Sequence, residues 1–260
     1  MRLPTIHGTI DRRILINYRV DPDILATILP PPFEPKLVNG YGLAGICLIR
    51  LRSVRPHWVP SWMGIGSENA AHRVAVQWEQ GGRRQEGVYI LRRDTSSKLN
   101  ALAGGRLFPG VHHHARFDVR EAPDKFDIAM ESDDQSLALG VSAAVTAIWP
   151  EGSLFDSMDQ ASRFFQAGSL GYSPSNRAHR FDGLELRCHK WQTESLAVQD
   201  VRSTFFDDPA YFPRGSINLD CALLMRGIEH EWHSREDLCS CYAPMAAGSL
   251  TASSSPIASA

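Results

Sequence analysis

The chain has 260 residues, of which 43% are hydrophobic and 22% charged, so it can bury a sizeable core and is globular by composition. Acidic and basic residues nearly cancel to a net charge of -2, and no basic cluster is long enough to bind nucleic acid or an anionic membrane. No segment approaches the roughly 18 apolar residues of a membrane span. We therefore expect a cytoplasmic protein with neither nucleic acid nor membrane as a partner.

The first fifty residues predict a strand, a short helix and a second strand. Apolar and polar residues alternate over residues 14–20, which is the period of a half-buried strand. Asp21 and Pro22 then supply a helix N-cap and a first-turn proline, and the helix should end near Leu29, before three consecutive prolines. Residues 42–51 are almost continuously apolar or small, as expected for a strand buried on both faces.

The middle of the chain continues the same pattern. Residues 74–78 alternate, residues 88–91 are continuously apolar, and both predict strands. Residues 96–104 form the next candidate helix, with a Gly-Gly end.

The second half predicts one further helix between strands. Residues 137–149 are nearly continuously apolar or small, and residues 184–188 alternate. Between them, Ser157 and Gln160 form a capping box for a helix to about Phe165. The pattern as a whole predicts a mainly β protein, a β-rich α+β fold with a few helices.

No internal repeat or linker divides the chain, so residues 1–243 are predicted to form a single domain. Residues 244–260 are almost entirely Ala, Ser and Gly, and we expect a disordered tail there.

Three consecutive histidines are the first candidate site. If residues 111–119 form a strand with Ala115 and Phe117 facing inward, His113 faces inward too, while His112 and His114 face the other way. An interior imidazole is a candidate general acid or base, because its ordinary pKa of about 6.5 lies near working pH. The alternative is a hydrogen-bonded structural histidine.

A metal site is a second interpretation of the same run. His112 and His114 share a strand face and could bind one ion, but a third ligand is missing. Cys239 and Cys241 form the other candidate ligand pair, without the second cysteine pair that zinc sites usually show. Neither pattern is sufficient, and we expect no metal.

Two further groups carry charge near predicted strand ends. Glu68 and Arg73 are candidates for a buried acid and its counter-ion, or for an ordinary surface pair. Lys98 is a candidate Schiff-base nucleophile, although its polar surroundings favour exposure. The chain has no Gly-rich phosphate loop, GxSxG elbow or HExxH motif, which removes the commonest nucleotide, serine-hydrolase and zinc-protease interpretations. We expect no cofactor.

Ordered short motifs over most of residues 5–225 resemble the uncharacterised DUF2071 (YqjF-like) family, which is related to acetoacetate decarboxylase. The motifs lie at residues 41–50, 55–56, 68–69, 87–91, 104–109, 164–165, 171–172 and 189–191. The resemblance implies a barrel-like, cone-shaped β-fold with peripheral helices and a central cavity. It also places His113 and His114 where the decarboxylase has its lysine pair, and Glu68 near an interior glutamate of that enzyme.

This departure argues against Schiff-base decarboxylation, because an imidazole cannot form the imine that this route requires. We predict a cavity for a small organic acid or carbonyl compound, with cofactor-free acid–base chemistry. His113 would be the acid or base, Glu68 its carboxylate partner or a second proton carrier, and Arg73 an anion contact. A non-enzymatic ligand-binding barrel and, third, a cupin-like metal protein remain open, as does a homo-oligomer.

Overall fold

The computed structural model describes residues 5–103 and 110–240. The fold is 61% strand and 11% helix, which confirms the mainly β prediction. Within the two described ranges, every helix is too short or too polar to cross a bilayer. The predicted tail, Cys241 and the Gly-Gly end of the second helix lie outside the described residues.

Thirteen strands are found in the described part of the chain, and most of them are joined by short turns. Their bounds in chain order are β1 Ile6–Val20, β2 Glu34–Pro35, β3 Leu37–Val38, β4 Tyr41–Pro56, β5 Ile65–Gln80, β6 Arg83–Thr95, β7 His113–Ala122, β8 Lys125–Ser132, β9 Ala138–Thr146, β10 Leu170–Pro174, β11 Arg180–Cys188, β12 Glu194–Ser203 and β13 Ile217–Cys239.

The helices of the described residues lie where the sequence predicts them. They are α1 Pro22–Ile28, α2 Lys98–Ala103 and α3 Met158–Ala167, with a 3₁₀ turn over Ser61–Met63. Asp21 caps α1 by accepting from the Asp23 N–H, and Ser157 caps α3 by accepting from the Gln160 N–H. Each cap satisfies a backbone donor that has no partner within the helix.

The strands form one sheet, and two additional strand pairings close it into two circuits. The main path runs β11-β10-β6-β7-β8-β9-β12-β13-β1-β4-β5-β2, and β3 pairs with β4. In addition β11 pairs with β13, and β5 pairs with β6. These pairings define a small circuit of β1, β4, β5, β6, β10, β11 and β13. They also define a large circuit, in which β7, β8, β9 and β12 replace β10 and β11.

The strands shared by the circuits separate two hydrophobic cores. On β1, Ile14 and Ile16 belong to the first core, and Leu15 between them belongs to the second. On β4, Ile46 belongs to the first core and Cys47 to the second. This alternation follows from the two-residue period of a strand. Both faces of the shared strands are therefore buried, and a residue's parity decides which core it enters.

Candidate functional site

A cavity of about 130 Å³ lies in the second core, and every strand of the small circuit contributes to its lining. Helix α3 adds Phe164 and Phe165, and α2 adds Asn100. Most of the lining is apolar, but it includes three arginines, Arg13, Arg73 and Arg93. We call these three residues the cavity cluster.

Arg13 lies on β1, two residues before Leu15, and both residues line the cavity. Its Nε donates a hydrogen bond to the Sγ of Cys47 on β4 at 3.4 Å, and its Nη1 lies 3.9 Å from the Sδ of Met225. The guanidinium carbon is 5.7 Å from the centre of the Trp191 ring. The groups that contact Arg13 here are two sulfur atoms and an aromatic ring, and none of the three is a carboxylate.

Arg73 lies on β5 and is 4% exposed. Its Nη2 donates to the Oδ1 of Asn17 at 2.6 Å, and its guanidinium carbon is 4.9 Å from the centre of the Phe165 ring. Its Nε is buried without a hydrogen-bond partner among the described residues. Burial lowers the pKa of Arg73 to about 10, so the side chain is still a cation at neutral pH.

Arg93 lies on β6, and its Nε is likewise buried without a hydrogen-bond partner in the described part of the chain. Burial lowers its pKa to about 10, and negative charge at Cys47 and Asp182 partly opposes that shift. Two buried guanidinium donors of the cavity cluster are thus unsatisfied. Leaving such a donor unpaired is costly, more so when the group is charged.

His112 also lines the cavity. Its Nδ1 lies 3.1 Å from the carbonyl oxygen of Gly110, which can only accept, so Nδ1 carries the proton. Burial first, and then the charge of Arg93, lowers the pKa of His112 to about 4. The imidazole is therefore neutral at pH 7, and its Nε2 is the unprotonated nitrogen.

The carboxylate found in the lining among the described residues pairs with an arginine outside the cavity cluster. Asp94 lines the cavity, and its two oxygens accept from Arg92 at 3.0 to 3.1 Å. Lys36, also in the lining, pairs with Glu86 and stacks 4.5 Å from the centre of the Phe164 ring. Within residues 5–103 and 110–240, the cavity cluster forms no ion pair within 4.0 Å. The cavity therefore holds a local excess of positive charge.

The predicted placement of His113 in the cavity is wrong. The alternation along β7 is as expected, since Ala115 is buried and Phe117 packs on the same side. That side, however, faces the first core, whereas the cavity belongs to the second. His113 is not part of the cavity lining. Its side chain is 38% exposed, and its Nδ1 lies 3.3 Å from Asp134.

His112, predicted to face away, lines the cavity instead. Strand β7 begins at His113, so the alternation of the strand does not extend to His112. The preceding turn at Gly110, with a φ of 85°, sets its direction. His114 forms a 2.7 Å contact with Asp133 at the surface.

Glu68 and Arg73 are not brought together, so the predicted pairing of these two residues is wrong. They are five residues apart on one strand, so their side chains lie on opposite faces. Glu68 accepts from Arg12 at 2.5 Å and from Arg50, and both arginines also bind Glu121. We call Arg12, Arg50, Glu68 and Glu121 the paired cluster. Of the predicted site residues, only Arg73 lines the cavity, and catalytic roles for His113 and Glu68 stay predictions.

The other sequence candidates also lie away from the cavity. Lys98 is exposed at the start of α2. Among the described residues, no three His, Cys, Asp or Glu side chains are grouped as metal ligands would be. The pair of Cys239 and Cys241 falls partly outside those residues.

Sequence reasoning missed Arg13, Arg93, Cys47 and His112. Arg13 and Arg93 each stand beside buried apolar stretches of their strands, and a buried arginine is rare unless paired. Such an arginine is the feature of the sequence that could have indicated the site. It does not say which face each arginine occupies, because this depends on pairings between distant strands.

Solved structures similar to this chain share one fold. The crystal structure of acetoacetate decarboxylase from Legionella pneumophila subsp. pneumophila str. Philadelphia 1 matches with a TM-score of 0.57 and 12% identity, over 90% of this chain and 88% of the other. An acetoacetate decarboxylase-like enzyme from Sphingomonas wittichii RW1 matches with a TM-score of 0.54 and 11% identity, over 90% and 93%. The enduracididine biosynthesis enzyme MppR, complexed with pyruvate, matches with a TM-score of 0.54 and 11% identity, over 92% and 91%.

These similarities show the fold, and at such identities they do not show an activity. Comparison with curated proteins gives no match. The model of the family DUF2071, described as an uncharacterized conserved protein, matches residues 8–219. The chain therefore belongs to the DUF2071 family, on an acetoacetate decarboxylase-like fold.

Proposed function

We propose that the cavity binds a small organic carboxylate, with the cavity cluster as its counter-charge. The observation that supports this is the presence of three arginines around one cavity, with two unsatisfied buried Nε donors and, among the described residues, no carboxylate that pairs with these arginines. A buried cation without a counter-ion is energetically unfavourable. A bound carboxylate would supply both the missing charge and the missing acceptors.

The size and surface of the cavity narrow the ligand class. A volume of about 130 Å³ is close to that of an engineered apolar cavity of about 150 Å³ that holds benzene, so a ligand of a few heavy atoms fits. Apolar side chains such as Leu15, Ile49 and Phe165 line the rest of the wall. A fold neighbour was solved with pyruvate, itself a small carboxylate. A short aliphatic or oxo acid matches these features.

Thermal unfolding with matched ligands tests the proposal. Propionate should raise the melting temperature in a saturable way, because a ligand that binds only the folded state stabilises it. Propionamide, which has the same shape without the charge, and chloride at equal ionic strength should not. Arg13→Gln should require at least tenfold more propionate for the same effect, whereas Arg120→Gln, whose side chain is 80% exposed, should respond like the wild type. An equal response to propionate and propionamide would contradict the proposal.

Cofactor-free proton transfer is the second candidate function, and the position of His112 favours it. Its unprotonated Nε2 belongs to a side chain of the cavity lining, so it is a base near any bound acid. A pKa of about 4 makes it a weak base, which is why ligand binding is the better supported function. A carbonyl acid with exchangeable α-protons is the substrate class that such a base would act on.

Exchange of the methyl protons of pyruvate in deuterated water, followed by NMR, tests this second function. The wild-type protein should accelerate exchange, and His112→Gln should lose the acceleration while still binding pyruvate. His113→Gln should exchange like the wild type, because His113 lies outside the cavity lining. Loss of exchange in His113→Gln with retention in His112→Gln would restore the sequence-based assignment.

A further inference from the structure

We infer that Cys47 is a covalent attachment site inside the cavity, where its thiol adds reversibly to the carbonyl carbon of a small oxo acid held by the cavity cluster. The inference rests on the proposed carboxylate binding and goes beyond it by naming a nucleophile and a bond. Cys47 is 8% exposed on β4, in the cavity lining. The sequence alone suggests a small core residue.

The surroundings of the sulfur distinguish Cys47 from the other buried thiol, Cys221. Arg13 donates a hydrogen bond to the Cys47 Sγ at 3.4 Å, and reactive cysteines are typically found beside such cationic groups. Arg73 and Arg93 line the same cavity, so the lining that contains this sulfur holds three cationic side chains. Burial instead raises the pKa of Cys221 well above its ordinary value.

An independent feature of the cavity indicates that a ligand comes to this sulfur. Arg73 is 4% exposed, lines the same cavity and has an Nε without a partner among the described residues. A ligand carboxylate that accepts from this nitrogen would be confined to a cavity of about 130 Å³. The carbon bonded to the carboxylate would then lie close to the cavity wall, of which Cys47 is part. For an oxo acid, that carbon is an electrophile.

The addition balances without any oxidant, reductant or cofactor. A carbon–sulfur bond forms between the Cys47 Sγ and the carbonyl carbon, and the π bond of the carbonyl breaks. The proton that leaves the thiol ends on the former carbonyl oxygen, which becomes a hydroxyl group. The product is a hemithioacetal, and reversal returns the free thiol and the oxo acid. Holding both groups in one cavity makes the step effectively unimolecular.

Alkylation of the whole protein by an anionic and a neutral reagent tests the inference. Iodoacetate carries the carboxylate that the cavity cluster should attract, and iodoacetamide is its neutral counterpart. Both form a carbon–sulfur bond and release iodide, and peptide mass spectrometry gives the rate at each cysteine. We expect the ratio of the iodoacetate rate to the iodoacetamide rate at Cys47 to exceed that of 2-mercaptoethanol at least tenfold. Cys239, outside the cavity lining, should show no such preference.

Two variants and a competition assay complete the experiment. Arg13→Gln should reduce the ratio at Cys47 toward that of 2-mercaptoethanol, and Cys47→Ala should lose the modified peptide. Glyoxylate, the smallest aldehyde acid, should protect Cys47 from iodoacetamide at concentrations at least tenfold below those of acetate. Acetate occupies the arginines equally but has no electrophilic carbonyl.

The outcomes separate the failure of this inference from the failure of the proposed function. If neither reagent modifies Cys47 while propionate still stabilises the protein, the cavity binds anions and Cys47 is not the nucleophile. If both reagents modify Cys47 without an anionic preference, the thiol is accessible and carboxylate recruitment is overturned. If glyoxylate protects no better than acetate, addition to the carbonyl is overturned.

Discussion

Two arginine clusters lie back to back on the shared strands of this sheet, and they differ in how their charge is balanced. In the paired cluster, Arg12 and Arg50 face Glu68 and Glu121, two cations against two anions. In the cavity cluster, Arg13, Arg73 and Arg93 face sulfur, amide and aromatic groups. Arg12 and Arg13 are sequence neighbours, so the difference arises from the face of the strand alone.

This contrast separates charge that is balanced by carboxylates from charge that has no carboxylate partner among the described residues. A buried ion pair is strongly destabilising to break, because the remaining partner is left uncompensated. A buried cation that lacks a partner in the protein carries this cost already, and removal of the cation relieves it. Stability measurements should therefore respond in opposite ways when the two clusters are mutated.

The largest expected effect is on the paired cluster. Glu68→Gln leaves Arg12, which is 2% exposed, with half its counter-charge, and the free energy of unfolding should fall by about 3 to 5 kcal/mol. Urea unfolding measures this change. Glu79→Gln is the matched control, because Glu79 and Arg84 form an exposed pair 3.5 Å apart that should contribute less than about 1 kcal/mol. Equal losses in the two variants would remove the distinction between the clusters.

The next effect concerns the cavity cluster. Arg13→Met removes a cation without removing a paired carboxylate, so the free energy of unfolding in anion-free buffer should be unchanged or rise by about 1 kcal/mol. Its affinity for propionate, measured by calorimetry, should fall at least tenfold, since a charged hydrogen bond contributes about 1.5 to 3 kcal/mol. A large loss of stability together with wild-type affinity would show that Arg13 is structural.

A pH series tests His72, a buried imidazole that we expect to stay uncharged in the folded protein. Burial first, and then the charge of Arg92, lowers the pKa of His72 to about 3, and its Nε2 lies 3.1 Å from the Ser203 hydroxyl. Below pH 6.5 the unfolded state takes up a proton that the folded state excludes. Stability is therefore fully present above pH 6.5 and is lost as the pH falls toward 3, by up to about 1.4 kcal/mol per pH unit from this residue.

Replacing the imidazole isolates this contribution. His72→Gln keeps a polar group near Ser203 and removes the titration, so its unfolding free energy should depend less steeply on pH between 6.5 and 3 than that of the wild type. Urea unfolding at several pH values measures the two slopes. Identical slopes would mean that His72 is protonated in the folded protein.

The smallest effect is expected at the surface. Arg120 and Asp118 form a 3.1 Å pair in which both side chains are largely exposed. Arg120→Gln should change the free energy of unfolding by less than about 0.5 kcal/mol and leave propionate affinity unchanged. A larger loss of affinity would mean that the net charge of the protein, rather than the cavity cluster, attracts the anion.

Local features of the fold could be predicted from the sequence because their causes are local. The Asp21 cap of α1, the Ser157 cap of α3 and the alternation in β1 each depend on residues a few positions apart. The strand alternation after His113 was also predicted correctly. What local pattern cannot give is the identity of the core on either side of a strand.

The candidate site depends on that missing information. Arg13 and Arg93 line the same cavity because β1 and β6 both belong to the small circuit, which closes through the pairing of β11 with β13. His113 was assigned to the cavity because it shares a face with Ala115, and that face borders the other core. Arg73 lines the cavity, whereas Glu68, predicted to act with His113, contacts Arg12 on the opposite face of β5.

A crystal structure of the protein grown with saturating propionate tests the central claim most directly. We expect electron density for the ligand in the cavity, with a carboxylate oxygen within about 3.2 Å of the Nε of Arg73 or Arg93. Propionate bound only outside the cavity, or a cavity in which both nitrogens contact water while the ligand is absent, would contradict it.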